Sequence, residues 1–228
     1  MKLWPRPGGS VFEDRRQAGR ELARMLHRGD RAVSLVDGPS VVVLGLARGG
    51  VPVAAEIASA LHAHLDAFVV RKLGVPGREE LAFGAIASGG HPFVSERTVR
   101  DFGLTADNVR AVIEREQDEL RRRETVYRQG RPPTAVTDRI VVLVDDGLAT
   151  GSSMRVAVEA VHQRGPRQII VAVGTAPPDV QIDLADDIVC ATEPSDFWAV
   201  GQSYRDFAQV TDSEVQEILA HPENGGFW

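Results

Sequence analysis

Lysine is nearly missing from this 228-residue chain: Lys2 and Lys72 are the only two, so arginine carries almost all of the positive charge. Codon bias is the plain explanation, yet Lys72 falls beside a candidate site. Cysteine is scarcer still. With Cys190 alone, no intramolecular disulfide can form, which suits a reducing cytoplasm. No apolar run approaches the roughly 20 residues that span a bilayer, so no membrane role is expected. The opening MKLWPRPGGSVFEDRR has no apolar signal core and turns acidic early, so no secretion signal is expected. Internal repeats and low-complexity tracts are lacking. The formal charge of −6 disfavours a protein whose task is gripping nucleic-acid backbone. The six histidines show no metal-ligand spacing.

What is present is ordinary for a globular chain: 43% hydrophobic and 25% charged residues. Short apolar runs at Val41 to Leu46, Asp66 to Val70, Ile140 to Val144, Gln168 to Val173 and Asp187 to Ala191 read as strands. The most continuous of them suit burial on both faces. Between them, Phe12 to Arg28, Val51 to His62, Thr105 to Tyr127, Ser153 to Gln163 and Asp212 to Leu219 read as helices. The alternation predicts an α/β fold with a doubly wound, mainly parallel sheet of about five strands. The whole chain, 1–228, is expected to form one domain. Residues 73–104, rich in Gly and Pro, read as a flexible loop or lid with one or two short strands, and 192–228 as a C-terminal rim.

Two strand-loop-helix junctions carry the chemistry. Val141-Val142-Leu143-Val144-Asp145-Asp146-Gly147-Leu148-Ala149-Thr150-Gly151-Ser152-Ser153 is a buried strand with two carboxylates at its tip, then a small-residue turn opening a helix. Free N–H groups at a helix N-terminus favour an anion, and Thr150, Ser152 and Ser153 add hydroxyls. The carboxylates would repel that anion, so they suit something polyhydroxylated or metal-bearing beside it. A sugar phosphorylated at one end meets both demands. The second junction, Gly45-Leu46-Ala47-Arg48-Gly49-Gly50-Val51-Pro52, offers backbone donors and a guanidinium fork. Its glycine spacing fails the dinucleotide fingerprint.

The first segment resembles the 5-phosphoribosyl-1-pyrophosphate (PRPP) signature of the type I phosphoribosyltransferases. Much of the chain is also similar to their predicted phosphoribosyltransferase subgroup, through Arg48-Gly49-Gly50-Val51-Pro52-Val53, Val70-Arg71-Lys72-Leu73-Gly74-Val75-Pro76, the Tyr127-Arg128-x-Gly130-Arg131-Pro132 turn and Ala199-Val200-Gly201. The resemblance implies that Asp145 and Asp146 hold the ribose hydroxyls and that Ala149, Thr150, Gly151, Ser152 and Ser153 cradle the 5′-phosphate. It implies that Ala47, Arg48, Gly49, Gly50, Arg71 and Lys72 face the pyrophosphate. Asp145, Asp146, Arg48 and Lys72 would form the catalytic set, with Mg²⁺ carried by the donor and reached by Asp145 and Asp146. It also implies a homodimer and a role in nucleotide metabolism. The expected reaction is phosphoribosyl transfer from PRPP to a nitrogen nucleophile such as a nucleobase; the alternative is a non-catalytic PRPP or nucleotide sensor.

An Asp pair at a strand tip also occurs in two-component receiver domains, but near the N-terminus and without a Thr-Gly-Ser-Ser turn. Two departures matter. Ala149 stands where 6-oxopurine enzymes of the family carry an aspartate, and no lysine precedes Val200-Gly201, which leans away from oxopurine acceptors. Glu79 and Glu80 in the lid are candidates for any acid–base step. Phe197, Trp198 and Tyr204 in the aromatic rim are candidates to stack an acceptor base. The Arg/Glu-rich helix around 110–128 reads as a solvated face, and Cys190 as packing.

Overall fold

In the structure, a computed structural model, residues 2–3, 11–28, 40–89, 92–178 and 180–221 are described. The elements run β1 (Lys2–Leu3), α1 (Arg15–Arg28), β2 (Val41–Leu46), α2 (Gly50–Leu61), β3 (His64–Phe68), β4 (Val70–Val75), β5 (Arg78–Ala87), β6 (Phe93–Val94), α3 (Glu96–Asp101), α4 (Ala106–Arg128), β7 (Ile140–Gly147), α5 (Ser152–His162), β8 (Gln168–Thr175), β9 (Asp187–Thr192) and α6 (Asp212–Ala220). The main sheet has the order β1-β9-β8-β7-β2-β3, and every pairing in it is parallel. The five expected strands are there, with the two-residue β1 added at one edge.

Helices cover both faces, so the central strands are apolar without alternation. Val42, Leu44, Val141, Leu143, Ile169 and Val171 pack with Met154, Ala157 and Val161 of α5. Their neighbours Val41, Val43, Val142, Val144 and Ile170 turn to the other face, against Leu22 and Leu26 of α1 and Val53 and Ile57 of α2. Strands β2 and β7 are therefore fixed from both sides, and their carboxyl ends are held in register, Gly45 opposite Val144.

Three expectations need correction. The segment 73–104 is not a loop with short strands: β4, β5 and β6 form an antiparallel sheet in which β5 runs for 10 residues, although residues 90–91 lie outside the described ones. Its alternation was masked by charged residues at its exposed start, Arg78, Glu79 and Glu80, while Phe83, Ala85, Ile86 and Ala87 are buried farther along. The predicted strand over Asp66 to Val70 is split, ending at Phe68 in the main sheet and resuming at Val70 in this second sheet. Helix α1 starts at Arg15 rather than Phe12: Asp14 Oδ1 accepts from Gln17 N, and Phe12 pairs in strand fashion with Tyr204. Of the expected rim, 222–228 lie outside the described residues.

The Tyr127-Arg128 turn, noted as a family-like motif, is a clasp. Helix α4 begins with a capping box between Thr105 and Asn108 and ends in the left-handed Gln129. At its last residue, Arg128 reaches back to β3: its Nε lies 3.1 Å from each Asp66 carboxylate oxygen and its NH2 donates to Ala67 O at 3.2 Å. Asp66 also accepts from Ala67 N and Thr134 N, and Glu124 accepts from Arg128 NH1. The two side chains are 9% and 8% exposed. Removing one member of a buried, fully bonded pair strands the other charge. Asp66→Ala is expected to lower unfolding free energy by about 3–5 kcal/mol; a loss below about 1 kcal/mol in urea denaturation would contradict the clasp.

Candidate active site

Strand β7 delivers Asp145 and Asp146 to the carboxyl end of the sheet, beside the end of β2, where open parallel sheets bind their ligands. The β2–α2 loop lies directly on them. Here side chains have no room: a Cβ on Gly49 would overlap Asp146 Oδ2, and one on Gly50 would overlap Val144 O. The glycine pair thus brings bare backbone against the carboxylates. The Ala47–Arg48 peptide in this loop is cis.

Both carboxyls titrate above the ordinary aspartate range. Burial is the first cause for each, and repulsion from its neighbour adds for Asp145; Arg15 pulls Asp146 back down. Asp145 Oδ1 accepts from Asp146 N at 2.9 Å, and Asp146 Oδ2 accepts from Arg15 Nε at 2.8 Å. Tyr204 OH donates to Asp146 O at 2.5 Å.

The turn after the dyad opens α5. Ala149 and Thr150 are exposed, and Gly151 takes a left-handed conformation (φ 72°) as the helix N-cap, without a side chain to satisfy the first-turn N–H groups. Thr150 and Ser152 bond through their hydroxyls at 3.1 Å. Arg155, one turn into α5, donates to Thr150 O and Gln181 O and fastens the turn. Nothing in the sequence pattern singled out Arg155.

The cations expected at the pyrophosphate separate. Arg71 turns to α4 and pairs with Glu116 at 2.6 Å, whereas Lys72, on the opposite face of β4, lines a cavity of about 550 Å³ with Ser152, Ser153, Phe83 and Phe93. The period-2 alternation of a strand forces this split. Lys72 makes no ion pair with a described residue. Arg48 lies 3.7 Å from Asp212 of α6, whose carboxylate also accepts from Tyr127 OH at 2.7 Å. Burial, and next that hydrogen bond, push the Tyr127 phenol up to about 12.

The aromatic rim is corrected in part. Tyr204 is 6% exposed, packed between Phe12 and Phe207, so its ring is a support for Asp146 rather than a stacking surface. Trp198 is 78% exposed and Phe197 part-buried, both just before the turn Val200–Ser203. Glu79 and Glu80 sit at the turn of the β4–β5 hairpin, where Glu79 accepts from Gly77 N.

The dyad gives a stability test. Because the folded chain holds these two protons more tightly than an unfolded one, ionisation costs stability as pH rises from the ordinary carboxylate range through the raised values. Asp145→Asn removes that cost. It is expected to raise Tm by about 2–4 °C at pH 8, the shift of roughly 1 kcal/mol in a chain of this size, and by less at pH 4.5. Equal shifts at both pH values would contradict the assignment.

Comparison with known proteins agrees with this geometry. Residues 12–207 match the phosphoribosyl transferase domain family. The chain is 44% identical over 212 residues to "Putative phosphoribosyl transferase Rv0571c" and to "Putative phosphoribosyl transferase MT0597", from two strains of Mycobacterium tuberculosis. The match takes in 92% of this chain but 46% of each of those proteins, so the chain spans about half the length of the curated relatives it matches. The crystal structure of TT1426 from Thermus thermophilus superposes with a TM-score of 0.76 at 43% identity, covering 92% of this chain and 97% of that one. With the strand-tip dyad and the helix-capping turn both inside the matched span, the chain belongs to the phosphoribosyl transferase domain family.

Proposed function

We propose that this chain transfers the phosphoribosyl group of PRPP to a nitrogen nucleophile, releasing pyrophosphate. The observation that carries the reading is the junction itself: a glycine-bared backbone pressed on two adjacent carboxylates, beside a helix N-terminus whose N-cap, Gly151, has no side chain. A phosphorylated sugar diphosphate has the matching pattern of charge and hydroxyls.

In this reading the first-turn N–H groups of α5, with Thr150, Ser152 and Ser153, take the 5′-phosphate. Asp145 and Asp146 accept from the ribose hydroxyls and fix the sugar. The backbone at 47–50 and Arg48 hold the pyrophosphate, and Arg48 exchanges its partner Asp212 for the incoming anion. The bond from C1 to the pyrophosphate oxygen breaks with its electron pair leaving on pyrophosphate, the nitrogen lone pair forms the new C1–N bond with inversion, and the nitrogen's proton passes to solvent water. Positive charge around the departing pyrophosphate lowers the barrier. Trp198 and Phe197 offer flat surfaces for an aromatic acceptor.

Mg²⁺ fits the donor set. This hard cation is commonly held by one or two carboxylates plus substrate phosphates and keeps several waters. Asp145 and Asp146 supply such a pair, and among the described residues no cluster of three or more His, Cys, Asp or Glu forms a closed cage. When bound, the ion would neutralise charge on the pyrophosphate and on the desolvated dyad.

For Lys72 the reading departs from the role that the resemblance implies. It shares a cavity with Ser152 and Ser153, so it is assigned to the 5′-phosphate end.

Two experiments test the reading. Pyrophosphate release from PRPP and Mg²⁺ is to be followed with a panel of nucleobases and amines. Release is expected with at least one acceptor and should stop with EDTA; Asp146→Ala is expected to weaken PRPP binding about 10-fold or more. Wild-type PRPP affinity in that variant would refute the assignment. Second, Lys72→Ala is expected to weaken ribose 5-phosphate about 5-fold or more while leaving pyrophosphate binding unchanged, and Arg48→Ala to do the reverse. The opposite pattern would return Lys72 to the pyrophosphate.

A further inference from the structure

The side chain most closely engaged with the dyad lies far from it in sequence. Arg15 is the first residue of α1, and the start of that helix is pinned on the C-terminal segment: Phe12 N donates to Ser203 O and Arg205 N to Phe12 O, both at 2.8 Å. From there the guanidinium makes three contacts at once. Its Nε donates to Asp146 Oδ2 at 2.8 Å, its NH1 donates to Ala208 O at 2.7 Å, and its carbon lies 4.0 Å over the Phe207 ring. The Arg15 and Asp146 side chains are 12% and 13% exposed.

We propose that Arg15 is a positioning residue for the donor sugar: it fixes the Asp146 carboxylate in the orientation a ribose hydroxyl meets, and ties that orientation to the segment 204–208. The inference rests on the donor reading above. Three features favour positioning over a plain structural ion pair. The residue is held at two points, Arg15 on the side chain and Tyr204 OH on the carbonyl. Gly49 closes on the same oxygen that Arg15 grips, leaving Asp146 little freedom to swing. The planar fork of arginine can serve a carboxylate, a carbonyl and an aromatic face together, whereas a lysine ammonium is a point charge on a flexible stem.

The test is calorimetric titration of the full chain with PRPP and Mg²⁺, and separately with pyrophosphate and Mg²⁺. Wild type, Arg15→Gln, Arg15→Lys, Asp146→Asn and the double variant R15Q/D146N are compared. Arg15→Gln is expected to lose about 10- to 100-fold in PRPP affinity and to keep pyrophosphate affinity within about 3-fold. The double variant should bind PRPP no more weakly than Asp146→Asn, because both changes remove one interaction. Methylguanidinium at low millimolar concentration should recover part of the loss in Arg15→Gln. If that variant does not fold, Arg15→Lys carries the same comparison and is expected to show a smaller loss of the same selectivity. Unchanged PRPP affinity, equal losses for both ligands, or losses that add in the double variant would overturn the role of Arg15. A wild-type chain that binds pyrophosphate but not PRPP would instead overturn the donor reading.

Discussion

Two carboxylates on neighbouring residues, both part-buried at the end of the central strand, set the conditions for the rest of the site. Burial raises the titration of both, and for Asp145 repulsion from its neighbour adds to it. The surrounding structure answers with one guanidinium, two backbone amides and a tyrosine hydroxyl behind the chain. On the proposed reading, a cation and hydroxyl donors would relieve part of that cost.

The fold holds the dyad rigidly by covering both faces of the sheet. With α1 and α2 on one side and α5 on the other, β2 and β7 cannot shift register without exposing one of two apolar layers. The second sheet and α4 are built differently. They pack on a third apolar cluster around Leu73, Phe83, Leu120 and Tyr127, and their link to β3 runs through the buried Asp66–Arg128 clasp. Phe93, on the two-residue β6, is exposed beside Lys72 and the start of α5. Lys72 and Arg48, the cations proposed to meet the substrate, ride on β4 and on the β2–α2 loop, two parts of the fold with separate supports.

Much of this was legible in the order of residues. Strands β2, β7 and β8 announce themselves as apolar runs, and the Asp145–Ser153 junction carries its chemistry within a few consecutive positions. The Gly49–Gly50 pair could be recognised as a loop, but not the reason for it, since Asp146 lies far along the chain. The segment 73–104 reads as a loop with one or two short strands rather than a ten-residue strand, because the first half of β5 is exposed and charged, which hides the alternation that marks its buried half. The place of Tyr204 is hidden for a related reason: the sequence around an aromatic residue does not say whether its ring meets a ligand or Phe12.

Patterns local to a dozen residues suffice for the strands of the main sheet, most of the helices, and the junction that offers donors to an anion. Tertiary structure alone decided three matters. It brought Arg15 onto Asp146, chose which of Arg71 and Lys72 meets Glu116 and which faces the cavity beside α5, and made Arg128 a structural clasp. Each depends on contact between residues distant in the chain, and such contacts are fixed by how buried charges find partners when layers pack. No local periodicity encodes that choice.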